Sequence, residues 1–254
     1  MNDKAVKLEV KNLCKFFGGV KAVNNVSLKI HESEIVAVVG DNGAGKSTLI
    51  KVISGFHKRD GGEIILEGKK IEFDDPNEAK KNGIETVYQT EGLISVFNAA
   101  GNLFLGREKV YSNILGKLFK FTDEKYMEKE TESLLKKLSI ELKDIKEEMG
   151  NLSGGQRQAV LVGRAVYWGG KILIFDEPTN NLSVNQQRKV IDLIKNIRSH
   201  YKISVIVISH NIEHVYELAD RIVVLRNGEK VAERSKNKTT TSEIVHLITG
   251  ALKA

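Results

Sequence analysis

Nine consecutive residues carry the clearest chemistry in the chain: Gly40, Asp41, Asn42, Gly43, Ala44, Gly45, Lys46, Ser47 and Thr48. The pattern is G-x-x-x-x-G-K-[ST], and its meaning depends on what flanks it. Before it lies the apolar run Ile35, Val36, Ala37, Val38, Val39, which reads as a strand buried on both faces of a parallel sheet. After it, Leu49, Ile50, Val52 and Ile53 have helical spacing. Strand, glycine loop, helix is the context that makes a phosphate site. Gly40, Gly43 and Gly45 let the backbone turn tightly and bring its N–H groups close to an anion. A helix starting near Lys46 adds unpaired N–H groups and the positive end of its dipole. Lys46 offers a mobile charge to β- and γ-phosphates, and the Ser47 hydroxyl suits Mg²⁺.

A second group of chemical residues follows another stretch that reads as a buried parallel strand, 171–175, which ends in Asp176, Glu177 and Pro178. Carboxylates just past the C-terminal end of a parallel strand lie where open α/β sheets bind ligands. Successive strand residues point to opposite faces, so the two acids should have different tasks. Asp176 suits Mg²⁺ and Glu177 suits activation of a water. Pro178 predicts extended geometry for Glu177. The strand predicted over 203–208 delivers Ser209 and His210 to the same side.

Ser153, Gly154, Gly155 and Gln156 precede a helical run over 157–168. Ser153 at N-cap with Gln156 three residues later forms a capping box. Capping does not require the two glycines, which leave backbone N–H groups open to an anion. Both readings stand on the residues alone.

The elements that must position these groups alternate along the chain. Short alternating stretches at 7–10 and 22–30 predict antiparallel strands, with Phe16, Phe17, Gly18 and Gly19 as a glycine turn bearing two aromatic rings. Rings there are packing residues or a stacking platform for a base. A strand ending in a turn over 63–68, a short helix opened by Pro76 and a strand over 84–88 that delivers Gln89 come next. Residues 92–107 are apolar and glycine-punctuated, a core segment or a partner surface. A surface helix is predicted over 122–138 and another from 184 to about 200. The Asn227-Gly228 pair predicts a hairpin, and 241–251 a final helix.

Composition narrows the class. The 254 residues permit one large α/β domain or one domain with a subdomain, and 41% hydrophobic content suits a globular core. Apolar runs of about five to seven residues are too short to cross a bilayer. The N-terminal residues lack the apolar stretch of a secretory signal. Cys14 is the single cysteine, which points to a reducing cytoplasm. The net charge of +6 admits an anionic partner or a lysine-rich surface. The basic excess at Arg226, Lys230, Arg234, Lys236 and Lys238 has no interleaved aromatics for base stacking, so no nucleic acid is expected.

Assembled in order, these pieces resemble the ATP-binding cassette (ABC) family of transporter ATPases over nearly the whole chain. Residues 40–47 look like its Walker A motif and 172–177 like its Walker B motif with the catalytic glutamate. Leu152, Ser153, Gly154, Gly155 and Gln156 are the family signature unaltered; Gln89 matches the Q-loop, His210 the switch histidine, and Phe17 the adenine-stacking aromatic. The resemblance implies an α/β P-loop NTPase of ABC type. Its mixed sheet core and antiparallel β subdomain would take 1–88 and 169–254, and a helical subdomain about 89–168. It also implies ATP and Mg²⁺ as ligands, with Ser47, Gln89 and Asp176 around the metal. Glu177, His210 and Lys46 would serve catalysis, and Ser153–Gln156 of one copy would close on the Walker A loop of another.

A finer resemblance is to importers of ribose, xylose and fructose, carried by 83–89, 102–108 and 209–220. It implies a second cassette (an identical copy), a membrane permease and, indirectly, an extracytoplasmic sugar-binding protein, with this subunit peripheral on the cytoplasmic face. Two features depart from the pattern: many relatives fuse two cassettes in one chain, and Ser183 stands where most carry Asp. The competing readings are a soluble cassette ATPase acting on nucleic acid or ribosomes, and a transporter ATPase for another solute.

Overall fold

A computed structural model describes residues 4–87, 92–111, 113 and 119–251. These fall into two compact units. The first holds the described residues of 1–87, 170–178 and 194–254; the second holds those of 88–169 and 179–193.

The first unit is built on two sheets. Strands β1 (Val6–Phe17), β2 (Val20–His31), β4 (Gly61–Leu66) and β5 (Lys69–Ile71) form an antiparallel sheet in the order β2-β1-β4-β5. Strands β3 (Ile35–Val39), β6 (Ile84–Val87), β7 (Ile172–Asp176), β8 (Ser204–Ile208), β9 (Arg221–Arg226) and β10 (Glu229–Ser235) form a mixed sheet in the order β10-β9-β3-β8-β7-β6. Its neighbours are parallel except for the β9–β10 hairpin. β3 is fully buried, as its unbroken apolar run requires. Val36 and Val38 pack into a core shared with the antiparallel sheet and helix α1 (Lys46–Ile53). Ala37 and Val39 face the opposite way, onto the helices Ile212–Leu218 and Thr241–Thr249. On α1, Leu49, Ile50, Val52 and Ile53 are at most 2% exposed. Burying each contributes roughly 1.5–3 kcal/mol, which fixes the helix behind the loop that precedes it.

The first two strands are longer than their alternation suggests. Val10 pairs with Leu28 but Leu13 with Val26, so an irregularity intervenes. There Asn12 takes a positive φ of 49°. The slip puts Leu8, Val10 and Leu13 on one buried face, and a strict two-residue period ends at Val10. Phe16 and Phe17 therefore close β1, paired with Lys21 and Val20, and do not sit in a loop.

One side chain ties three parts of this unit together. Glu67, in the β4–β5 turn, accepts from Lys171 Nζ at 2.6 Å and pairs with Lys7 Nζ at 2.5 Å. These contacts, that with Lys171 first, hold its carboxyl pKa down to about 2. A depressed folded-state pKa stabilises the fold above the unfolded value of 4.5, and this contribution fades as pH falls from there toward 2. The carboxylate is 41% exposed, so solvent screening holds its contribution to at most about 1 kcal/mol. Glu67→Gln should lower the melting temperature at pH 7, and its deficit against wild type should shrink at pH 4. Thermal melts at the two pH values check this; a deficit that does not change with pH would overturn it.

The second unit is helical. Helices Ala99–Leu103, Glu124–Lys137 and Gly154–Tyr167 contribute Ala99, Leu135 and Val160 to a core completed by Met149 and Leu152. Phe104, fully buried, meets Tyr126, Tyr167 and Trp168 edge to face. Asn102 is equally buried and fully bonded: its Oδ1 accepts from Ile94 N, and its Nδ2 donates to the carbonyls of Ile94, Phe97 and Asn98. That clamp fixes the loop before the Ala99–Leu103 helix. It leaves Val96 (67% exposed) and Phe97 (41% exposed) outward, while Leu103 and Phe104 turn inward. The segment 92–107 is thus part core and part surface.

Candidate functional site

The phosphate-binding loop joins β3 to α1 as its sequence context demands. Gly45 is the N-cap of α1 with φ 98°, and a Cβ there would lie 2.3 Å from the Ala22 carbonyl oxygen. A Cβ on Gly40 would lie 2.3 Å from the Leu225 carbonyl oxygen. Both positions therefore exclude any side chain, through the close approach of a neighbouring strand. The loop borders a cavity of about 670 Å³ lined by Asn42 to Thr48, by Val20, Lys21 and Ala22, and by Asn227. That size suits a small organic ligand.

By sequence pattern Asn227-Gly228 is a hairpin turn. It also buttresses the loop: Gly228 N donates to Ala44 O at 3.1 Å, and Asn24 N donates to Gly228 O at 2.8 Å. Nothing local in the sequence announces this contact, because β9 and β10 lie far along the chain.

Lys46 is 8% exposed, and its ammonium donates to the carbonyls of Gly40 (2.7 Å) and Asp41 (2.9 Å). Burial pushes its pKa down, against the opposing pull of Glu177, Asp41 and Asp176. It is a partly desolvated cation at the centre of a negative group, which strengthens its field on any nearby phosphate.

Asp176 ends β7 in the same alternation as Ile172 and Ile174, which belong to the core shared with α1. Burial, then Glu177, raises its carboxyl pKa, while Lys51 and Lys46 of α1 oppose the rise. Glu177 departs from expectation. Its φ is +51°, not extended as the following proline predicts. Long-range contacts outweigh the local bias: its N–H donates to Ile208 O at 2.9 Å, and its Oε1 lies 2.9 Å from His210 Nδ1. The left-handed turn ends the strand's alternation at Asp176, and the Glu177 carboxylate meets His210. Left-handed backbone in a non-glycine residue costs about 1–3 kcal/mol and clusters at functional sites. Lys46, Asp176, Glu177 and His210 all belong to the first unit.

Phe17 is 44% exposed at the end of β1. Ser47 and Thr48 line the cavity beside Lys46. Gln89 lies outside the described residues.

In the second unit, Ser153 caps the helix Gly154–Tyr167 and the capping box is complete: Ser153 Oγ accepts from Gln156 N, and Gln156 Oε1 accepts from Ser153 N. The glycines have a packing reason as well. A Cβ on Gly154 would meet Leu182 Cδ2 at 2.8 Å, and one on Gly155 would meet Gln186 Cβ at 3.2 Å. The helix begins at Gly154, three residues before the predicted run.

These geometries meet a consistent set of relatives. The profile of the ABC transporter family matches residues 23–180. A xylose/arabinose import ATP-binding protein of Sulfolobus acidocaldarius is 46% identical, the match covering 95% of this chain and 93% of that one. A fructose import ATP-binding protein of Rhizobium meliloti is 43% identical over 96% and 94%. A ribose import ATP-binding protein of Hahella chejuensis is 34% identical, but the match covers only 47% of it. Among solved structures, a nucleotide-free ATP-binding cassette from an ABC transporter superposes with TM-score 0.80 at 28% identity, over 96% of this chain and 98% of that one. A dimeric cassette bound to ADP and Pi gives 0.71 at 27% identity, over 90% and 98%. The chain belongs to the ABC transporter family. Its fold is that of the ATP-binding cassette, and its activity is ATP hydrolysis.

Proposed function

We propose that this chain is the ATP-hydrolysing subunit of a monosaccharide importer. The single observation that carries this is the 46% and 43% identity to two sugar-import ATP-binding proteins, each matched over more than nine-tenths of its length. ATP fits the loop with its triphosphate against the backbone of residues 40–48, its γ-end near Lys46, and its base toward Phe17. The Asp176 carboxylate and the Ser47 hydroxyl are oxygen donors suited to Mg²⁺, and burial of Asp176 beside Glu177 is relieved by a cation. Held by these two side chains, Mg²⁺ would supply positive charge to offset that of the phosphoryl group. Glu177 polarises the attacking water and His210, which already contacts it, reaches the γ-phosphate. In this reading Gln89 senses the γ-phosphate. Ser153, Gly154, Gly155 and Gln156 of a second copy complete the site, a reading supported by the dimeric cassette that this chain resembles.

The reaction occurs on the cytoplasmic face of a membrane permease, with a sugar-binding protein outside selecting the solute. Among the described residues, no helix is long and apolar enough to cross a membrane; in this reading translocation is the task of the permease. Val96 and Phe97 are the permease-facing residues of this reading: exposed, apolar and held out by the Asn102 clamp. Phe97→Glu should abolish co-purification with the permease while ATP affinity of the isolated chain stays within about twofold of wild type. Its exposed ring makes the substitution tolerable to the fold, which a melting curve verifies. Undiminished permease assembly by a folded Phe97→Glu variant would refute the surface assignment. Direct binding of a monosaccharide to the purified chain would refute the division of labour.

A further inference from the structure

Phe17 is not a free ring at the end of a strand. The imidazole of His57 meets it edge to face, with centroids 5.2 Å apart and planes at 74°. The Lys15 ammonium lies 5.5 Å from its centroid. Both contacts lead to one short segment, 51–60, which leaves the C-terminal end of α1. Phe56 N and His57 N both donate to Lys51 O, at 2.8 and 3.0 Å, so His57 is carried by the helix that follows the phosphate loop. Asp60 closes the other end. Its carboxylate accepts from Phe16 N at 2.6 Å and Lys15 Nζ at 3.1 Å, and its N–H donates to Cys14 O at 2.9 Å. Phe56 packs against the far side of the arrangement, 5.2 Å from the imidazole. Phe17 keeps 44% of its surface exposed despite these contacts.

We propose that His57 is a positioning residue for the nucleotide base: it fixes the Phe17 ring relative to the phosphate-loop helix, so that base and triphosphate are bound in one preset geometry. The inference rests on the reading of Phe17 as the base platform. A half-exposed phenylalanine ring otherwise pivots about two torsions, and stacking would have to order it at each binding event. The edge contact with His57 removes that freedom beforehand. Burial, then Lys51 and Lys15, holds the imidazole below the usual histidine range. At pH 7.5 the ring is thus neutral and acts as an aromatic edge, not as a cation. Aromatic pairs of this kind contribute enough to change affinity by roughly threefold to tenfold.

The experiment measures binding of ATP and of inorganic tripolyphosphate, which has no base, to the full chain by displacement of a labelled nucleotide at pH 7.5. His57→Ala should weaken ATP about threefold to tenfold and leave tripolyphosphate unchanged; His57→Phe, which keeps an aromatic edge, should restore ATP affinity. Phe17→Ala is the control for the underlying reading. If it leaves ATP affinity intact, the base platform itself is wrong. If it weakens ATP while His57→Ala does not, the platform stands and the role of His57 falls. Equal weakening of ATP and tripolyphosphate by His57→Ala would mean that the residue acts through the phosphate loop, and overturns the proposal. Should the alanine variant melt below the assay temperature, His57→Gln keeps the polar bulk without the ring and takes its place under the same criteria.

Discussion

Lys46→Ala should reduce ATP hydrolysis at least a hundredfold and weaken ATP binding, with the fold retained. The ammonium is 8% exposed and held by two carbonyls of its own loop, so it is already placed where a triphosphate would lie. Removing it has two consequences. A preorganised positive group aimed at developing charge disappears, and one such group is typically worth about 10²–10³ in rate. The cation that offsets Glu177, Asp41 and Asp176 is also lost, so a highly charged anion approaches a site of like sign. Both effects act on hydrolysis, and the second acts on binding as well. Labelled nucleotide reports the binding. Steady-state phosphate release reports the rate. Hydrolysis within tenfold of wild type, from a variant with an unchanged melting curve, would sink the assignment of this loop as the active phosphate site.

Much of this geometry was written in short-range pattern. The loop, its strand and its helix are specified within some twenty residues, by glycine spacing and by a switch from an unbroken apolar run to helical period. The Ser153–Gln156 capping box is likewise complete within four residues. What the sequence concealed depends on contacts between distant segments. Local proline chemistry predicts an extended Glu177; the carbonyl of Ile208 and the imidazole of His210, more than thirty residues away, hold it left-handed instead. The Asn227-Gly228 turn is legible as a turn, but its bond to Ala44 is not. The slip at Asn12 hides the full length of β1, since alternation is the only cue and the bulge inverts it. His57 carries no motif, and only folding brings it to Phe17.

Glu177→Gln should separate binding from chemistry. The amide matches the carboxylate in size and can still accept from His210 Nδ1, 2.9 Å away, and its backbone anchor to Ile208 O is untouched. The left-handed turn therefore survives, and ATP should bind with nearly wild-type affinity. The amide cannot accept a proton from water, and loss of a positioned general base typically lowers turnover by about 10²–10⁴. Unhydrolysed ATP should then persist between two copies, each lending Ser153, Gly154, Gly155 and Gln156 to the other's nucleotide. Of these, Gly154 and Gly155 offer amides outside the capping box at the N-terminus of a fourteen-residue helix, whose dipole favours the phosphate end of the ligand. The resulting dimer should be visible by sedimentation velocity of Glu177→Gln with ATP and absent without it. Wild type should remain monomeric in both conditions, because hydrolysis releases the bridging γ-phosphate. Phosphate release within tenfold of wild type would remove Glu177 from the role of base. A variant that binds ATP but stays monomeric would instead count against an identical partner, and would point to a different cassette as the second half of the site.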